Sequence, residues 1–154
     1  MLTLYRPLAI AVVMASGFAP STSAQMMVFD TFATNQFLFK DVKYGPLKDF
    51  VPVMLVGRSA QALAVHPQLG VRTLPGFETQ GWLGLIAPAG TPRAILERVH
   101  GAMIKVLGSP EVKGKFEALG YEVVASTPAE FGEWIRSEMT KWGRVVREQK
   151  IALE

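Results

Sequence analysis

The spacing of apolar residues changes about halfway along the chain. In the first half apolar residues form short contiguous segments such as Phe50 to Gly57, which are typical of buried strands. After Thr91 they recur every three or four positions, which predicts amphipathic helices. The stretch from Leu74 to Pro92 lies between these patterns and contains a predicted strand, Trp82 to Ala87. The pattern therefore predicts an α/β fold.

Three hydroxyl–proline pairs predict the helix starts. Thr91-Pro92, Ser109-Pro110 and Thr127-Pro128 each offer a hydroxyl to cap free N–H groups and a proline where no N–H is needed. Glu130 completes a capping box at the third start. The last helix carries an apolar stripe that suits a ligand platform, although its helical spacing favours core packing. The stripe consists of Phe131, Trp134, Ile135, Met139, Trp142, Val145 and Val146.

The first half is predicted to contain three strands. The first is Met26 to Ala33, and a helical turn follows at Gln36 to Phe39. Arg58-Ser59-Ala60 is interpreted as the connection between the strands Phe50 to Gly57 and Gln61 to His66. Pro52 indicates an edge position or a strand that begins just after it.

Polar residues after the first strand are the candidate ligand site. We single out Thr31, Thr34 and Asn35, because α/β sheets bind ligands beyond the carboxyl ends of their strands, where hydroxyls and free N–H groups collect. The alternative is that these residues, with Asp30, only cap and turn the chain. Turn chemistry selects the same residue types, so the sequence leaves both interpretations open.

The residue inventory gives no support for an enzyme. There are no cysteines, which excludes a catalytic thiol, a thiolate metal site and disulfides. His66 and His100 lack partners at a recognisable catalytic or metal-binding spacing. We therefore predict no catalytic residues, no metal site and no cofactor.

The charge pattern and the N-terminal residues give predictions about nucleic-acid binding and cellular location. The chain has 16 basic and 13 acidic residues, and along the C-terminal helices Lys and Arg are interleaved with Glu, so no basic stripe indicates nucleic-acid binding. Residues 1–24 have one basic residue, a short apolar run and small residues before Gln25, the layout of a secretory signal peptide. A membrane anchor is the alternative, but the run is shorter than the ~20 residues needed to span a bilayer.

Several ordered motifs resemble one family. Trp82-Leu83-Gly84-Leu85 followed by Ala87-Pro88-Ala89-Gly90-Thr91-Pro92 is similar to the signature W-x-G-L-x-A-P-A-G-T-P of the Bug, or TctC-type tripartite tricarboxylate transporter, periplasmic receptors. The resemblance covers nearly everything after residue 24. Its other segments are Ala33-Thr34-Asn35, Tyr44 to Val53, Val65-His66-Pro67, Ser109 to Val112, Ala118-Leu119-Gly120, Ser126 to Phe131, Lys141-Trp142-Gly143 and Val145-Val146.

The resemblance implies a periplasmic solute-binding protein that closes two lobes around a small carboxylate and delivers it to membrane transporter components. It also implies a three-layer, type II periplasmic-binding-protein-like α/β lobe, for which we predict a mixed sheet. Residues 25–154 would form one such lobe. The family's first strand and its glycine-rich loop have no counterpart after the signal peptide.

The family's second lobe is expected to be missing near residues 74–76, where Leu74-Pro75-Gly76 follows Thr73 at once. Trp82 would then lie near the former hinge, exposed where it was once covered. Two alternatives to a working receptor follow. The chain could be a degenerate single lobe without ligand binding, because one wall leaves a ligand open to water. It could also be a protein-interaction module, which an exposed apolar patch would favour.

Overall fold

A computed structural model describes residues 26–61, 80–149 and 151. Of the predicted strand Gln61 to His66 only Gln61 is described; the rest of it, residues 74–76 and the predicted signal peptide at 1–24 lie outside the described residues. In chain order the elements are β1 (Met26–Phe29), α1 (Thr31–Leu38), β2 (Phe50–Ala60), β3 (Gln80–Pro88), α2 (Arg93–Leu107), α3 (Pro110–Ala118), β4 (Tyr121–Val123) and α4 (Pro128–Glu148).

The four strands form one sheet in the order β1-β3-β2-β4. All three described pairings are antiparallel, which corrects the expected mixed sheet. β1 and β2 do run in the same direction, as the helix between them requires, but β3 lies between them. Each helical connection joins two strands that run in the same direction. Another strand lies between the two in each case, so the described strands form no parallel pair.

Helices cover both faces of the sheet, which confirms the three-layer α/β architecture. On one face α1 and α4 pack against Val28, Leu55, Trp82 and Ile86. On the other face α2 and α3 pack on a second cluster of apolar residues. This second cluster is built around Val53, Met54, Val56, Leu85, Ala87 and Leu107.

The first strand is shorter than predicted. β1 ends at Phe29, and Thr31 already begins a helix of eight residues. The reason is Asp30, whose carboxylate accepts a hydrogen bond from the Thr31 N–H at 2.9 Å and so caps the helix. The predicted strand to Ala33 is therefore wrong, whereas the helical turn predicted at Gln36 to Phe39 is confirmed as the last turn of α1, which begins earlier than expected.

The predicted connection at Arg58-Ser59-Ala60 is also wrong, because these residues continue β2. Arg58, Ser59 and Ala60 pair with β3, and Arg58 also pairs with Glu122 of β4. Pro52 lies beside a register shift in β2. β4 pairs with β2 only from Gly57 to Ser59, so β4 does not lie beside Pro52. Its missing N–H therefore costs no hydrogen bond on that side of the strand.

The three helix starts differ in how they are capped. At Thr127 the hydroxyl accepts from the Glu130 N–H, and the Glu130 carboxylate accepts from the Thr127 N–H, which confirms the capping box. Ser109 makes no capping hydrogen bond, although Pro110 does begin α3. Thr91 does not cap α2, because its hydroxyl donates to the Pro88 carbonyl at 2.8 Å and Pro92 takes the cap position.

Candidate ligand site between helices α1 and α4

The N-terminus of α1 presents a polar cluster held by its own hydrogen bonds. The Asp30 carboxylate accepts from the Thr31 N–H and, at 3.3 Å, from the Gln61 side-chain amide. The Thr34 hydroxyl lies within 3.3 Å of the Thr31 carbonyl and 3.5 Å of the Asp30 carbonyl, to which it donates. Thr34 therefore keeps its oxygen lone pairs free to accept from a ligand.

This cluster forms one end of a cleft of about 250 Å³. The polar end is lined by Asp30, Thr31, Thr34 and Gln61. The rest of the wall is apolar and comes from Leu38 of α1, from Ile151, and from the C-terminal part of α4. The contribution of α4 consists of Trp142, Val145 and Val146. The cleft thus has one polar end and an apolar body.

Two of the three predicted ligand-binding residues meet at this cleft. Thr31 and Thr34 line it, whereas Asn35 does not. The Asn35 side chain instead hydrogen-bonds Tyr44. Burial raises the pKa of the Tyr44 phenol, and the bond with Asn35 acts in the opposite direction. Asn35 and the Phe32–Tyr44 ring stack, with centroids 5.4 Å apart, fix the loop after α1.

Some apolar residues of the α4 stripe pack in the core, and others line the cleft. Phe131 and Ile135 are fully buried in the core, as the sequence predicts. Trp142, Val145 and Val146 lie about two to three turns beyond Ile135 and line the cleft. The sequence reasoning missed these three as site residues, because helical spacing does not distinguish residues under the sheet from residues beside a neighbouring helix.

Trp82 is not exposed. Its side chain is 1% exposed and packs edge-to-face on Phe131, with ring centroids 5.6 Å apart. The expectation of an uncovered tryptophan is therefore wrong, because α4 covers this face of β3. A hinge role for Trp82 stays a prediction.

Charges and metal-binding groups are sparse around the cleft. Among the described residues that line it, Asp30 is the one charged side chain. No group of three or more His, Asp or Glu in the described part of the chain could hold a metal ion. His100 lies away from the cleft, with Nε2 3.0 Å from the Ser126 carbonyl oxygen. No described helix is long and apolar enough to cross a membrane.

Residues 71–151 match the family model described as tripartite tricarboxylate transporter family receptor. The matched range contains β3, α2, α3, β4 and α4, and it covers more than half of the chain. The chain belongs to this receptor family. The matched range includes the α4 wall of the cleft, whereas the α1 wall lies before it. The family is one of receptors rather than enzymes.

Curated relatives agree with the family match. The chain is 29% identical over 109 residues to a UPF0065 protein encoded in a tcbD-tcbE intergenic region of Pseudomonas, covering 63% of this chain and 32% of that protein. It is 30% identical over 88 residues to protein BugT of Bordetella pertussis, covering 57% of this chain and 27% of BugT. The matched part of the chain therefore spans 32% and 27% of the length of these two relatives.

Solved structures share the fold. A structure of the periplasmic binding protein BugD matches with a TM-score of 0.70 at 15% identity, covering 84% of this chain and 79% of that one. An R. palustris protein solved with adipate matches with a TM-score of 0.69, also at 15% identity and with the same two coverages. At this identity the likeness supports the periplasmic-binding-protein fold of the receptor chain.

Proposed function

We propose that this receptor chain binds a small carboxylate in the periplasm and serves a tripartite tricarboxylate-type transporter. The observation that carries the proposal is the family match over residues 71–151. The R. palustris structure with adipate supports a carboxylate as the solute class. Residues 1–24 would direct export as a signal peptide.

The α1–α4 cleft is one wall of the proposed carboxylate site rather than a complete one. Thr31 and Thr34 offer hydroxyls there, but Asp30 places a negative charge at the same end. A carboxylate ligand is repelled by that charge unless donors from elsewhere compensate for it. We therefore propose that the loss of a second lobe near residues 74–76 weakens carboxylate binding.

A carboxylate panel tests the proposed function. Purified residues 25–154 would be mixed with adipate, citrate, succinate and neutral adipamide, and the midpoint of thermal unfolding would be recorded. Ligand at ~100 times its dissociation constant should add about 2.7 kcal/mol to the free energy of unfolding. A Thr34→Val variant should reduce the shift, while Thr140→Val on the exposed side of α4 should not. No shift with any carboxylate would refute carboxylate binding by this chain.

An interaction module is the second candidate, and an exposed sheet edge favours it. β1 is an outer strand, and its Met27 and Phe29 side chains are 45% and 54% exposed. A second copy pairing along β1 would cover both side chains and the free backbone edge. Light scattering would then give a stable dimer that Phe29→Asp converts to a monomer. A monomer before substitution would contradict this candidate.

A further inference from the structure

The α1–α4 cleft has the wrong charge for an anion and a suitable one for a cation. Asp30 is the single charged residue among its described lining residues. Its carboxylate already accepts the Thr31 N–H, so an anionic ligand is deprived of this helix-terminal donor. The nearby cation Lys141 is paired with Glu138 at 2.5 Å. Asp30 accepts hydrogen bonds from the Thr31 N–H and the Gln61 amide, but no cationic side chain among the described lining residues neutralises its charge.

The polar end offers acceptors in the number that an ammonium group needs. A primary ammonium has three N–H donors and no acceptor. The Asp30 carboxylate has lone pairs beyond the two that its bonds to Thr31 and Gln61 occupy. The Thr34 hydroxyl donates its proton to backbone carbonyls and keeps its lone pairs as acceptors, and both Thr31 and Thr34 line the cleft.

The remaining wall suits a short apolar body. Leu38, Val145, Val146 and Ile151 are aliphatic, and Trp142 adds an aromatic ring. The Trp142 N–H donates to Glu138 at 3.0 Å, which fixes the ring and satisfies its polar group. A volume of about 250 Å³ is smaller than the ~300–1,000 Å³ of sites for drug-sized ligands. The occupant is therefore a small molecule.

From this arrangement we propose that the cleft binds a small primary amine, with its ammonium group at Asp30, Thr31 and Thr34 and its apolar body against Trp142 and Val146. Such a ligand differs in charge from the carboxylate of the proposed function and would occupy the same cleft, so the described cleft binds one of the two and not both. The amine site needs only residues of α1, α4, Gln61 and Ile151. It does not require a second lobe.

Three probes of one shape test the charge preference. Benzylamine, benzyl alcohol and benzoate carry the same ring with a positive, neutral and negative head at neutral pH. Binding to residues 25–154 would be measured by calorimetry and by saturation-transfer NMR. We expect benzylamine to bind about tenfold or more tightly than benzyl alcohol, since its hydrogen bonds to Asp30 are charge-assisted, and benzoate not to bind. Equal binding of all three, or of none, would overturn the proposal.

Two substitutions locate the site. Asp30→Asn keeps a good helix cap and removes the charge, so benzylamine affinity should fall about tenfold while benzyl alcohol is unaffected. Asp41→Asn changes an exposed aspartate outside the cleft and should leave both affinities unchanged. Val146→Phe should fill the cleft and abolish binding of both probes. Benzylamine affinity that is the same in Asp30→Asn and Asp41→Asn would refute the assignment. A carboxylate shift in the separate panel that Thr34→Val reduces would place an anion in this cleft and refute the amine site, whereas a carboxylate shift that Thr34→Val leaves unchanged would not.

Discussion

Gly84 lies directly beneath the ring of Phe131. A Cβ atom added to Gly84 would fall within 2.9 Å of three carbons of that ring. Gly84 belongs to the W-x-G-L segment of β3, and Phe131 belongs to the segment that begins α4. Two motifs that are 47 residues apart in the sequence thus form one contact, which explains why the strand carries a glycine between Trp82 and Ile86.

Gly84→Ala should destabilise the domain. Over-packing a core position costs roughly 1–3 kcal/mol, and Phe131, which the new methyl group would meet, is fully buried. The free energy of unfolding would be measured by urea denaturation. In a Phe131→Ala background the ring is gone, so the same glycine substitution should cost little.

Gly101→Ala is the matched control for this substitution. Gly101 lies inside α2, and no heavy atom comes within 4 Å of an added Cβ. Alanine there should raise the free energy of unfolding by roughly 0.5–1 kcal/mol, because glycine is a poor helix former. Equal effects of the two substitutions would contradict the proposed contact between Gly84 and Phe131.

Ser126→Ala should leave a core amide without a partner. The Ser126 hydroxyl is buried and accepts from the Leu55 N–H at 2.9 Å, at a point where β4 has already ended. Losing a buried partner costs about 1–3 kcal/mol. Hydrogen exchange at the Leu55 amide should also become faster. Ser137→Ala, at an exposed hydroxyl on α4, should change stability by less than about 0.5 kcal/mol.

Thr127→Ala should cost more than Ser109→Ala. Only the Thr127 hydroxyl accepts a capping hydrogen bond, from the Glu130 N–H at 3.2 Å. Loss of such a cap costs about 1 kcal/mol, within a range of about 0.5–2. Chemical denaturation of both variants, followed by far-ultraviolet circular dichroism, provides the comparison. A larger loss in Ser109→Ala would be inconsistent with the capping geometry.

Stability should depend on pH through Glu130. The backbone N–H of Thr127 donates to the Glu130 carboxylate and holds its pKa below the ordinary value, and the Thr127 hydroxyl adds to this effect. The unfolded chain therefore binds this proton more readily than the native chain does. The contribution is present above about pH 4.5 and is lost as the pH falls through the lowered native pKa.

Denaturation of the native chain and of Glu130→Gln across this range would show the effect. The difference in their free energies of unfolding should shrink as the pH falls from about 6 to about 3. A Glu130 difference that stays constant across this range would exclude the hydrogen bond as its cause.

Helices were predicted better than strands. The periods of three and four and the proline positions located α2, α3 and α4, because amphipathic spacing and the missing N–H of proline are local properties. Arg58 to Ala60 were read as a turn, since their polar character does not reveal that β3 and β4 pair with them. Strand pairing depends on residues far apart in sequence, so local composition does not determine it.

The sequence likewise predicted only some of the residues of the candidate site. Thr31 and Thr34 were identified from the polar segment after β1, whereas Asn35 proved to bond Tyr44. Trp142, Val145 and Val146 became site residues only when α1 was seen to pack beside α4. The charge at the polar end was visible in the sequence as Asp30, but its position inside the cleft was not.

The sequence by itself determined the α/β class, the family and the capped start of α4, because motifs, helical periods and caps depend on residues that are close together in the chain. Only the tertiary structure decided the order and direction of the strands, the burial of Trp82 under Phe131, and the joining of Asp30 to an apolar wall from α4. The physical reason is that these features arise from packing between segments distant in the chain. Each segment admits more than one partner until the whole core has formed.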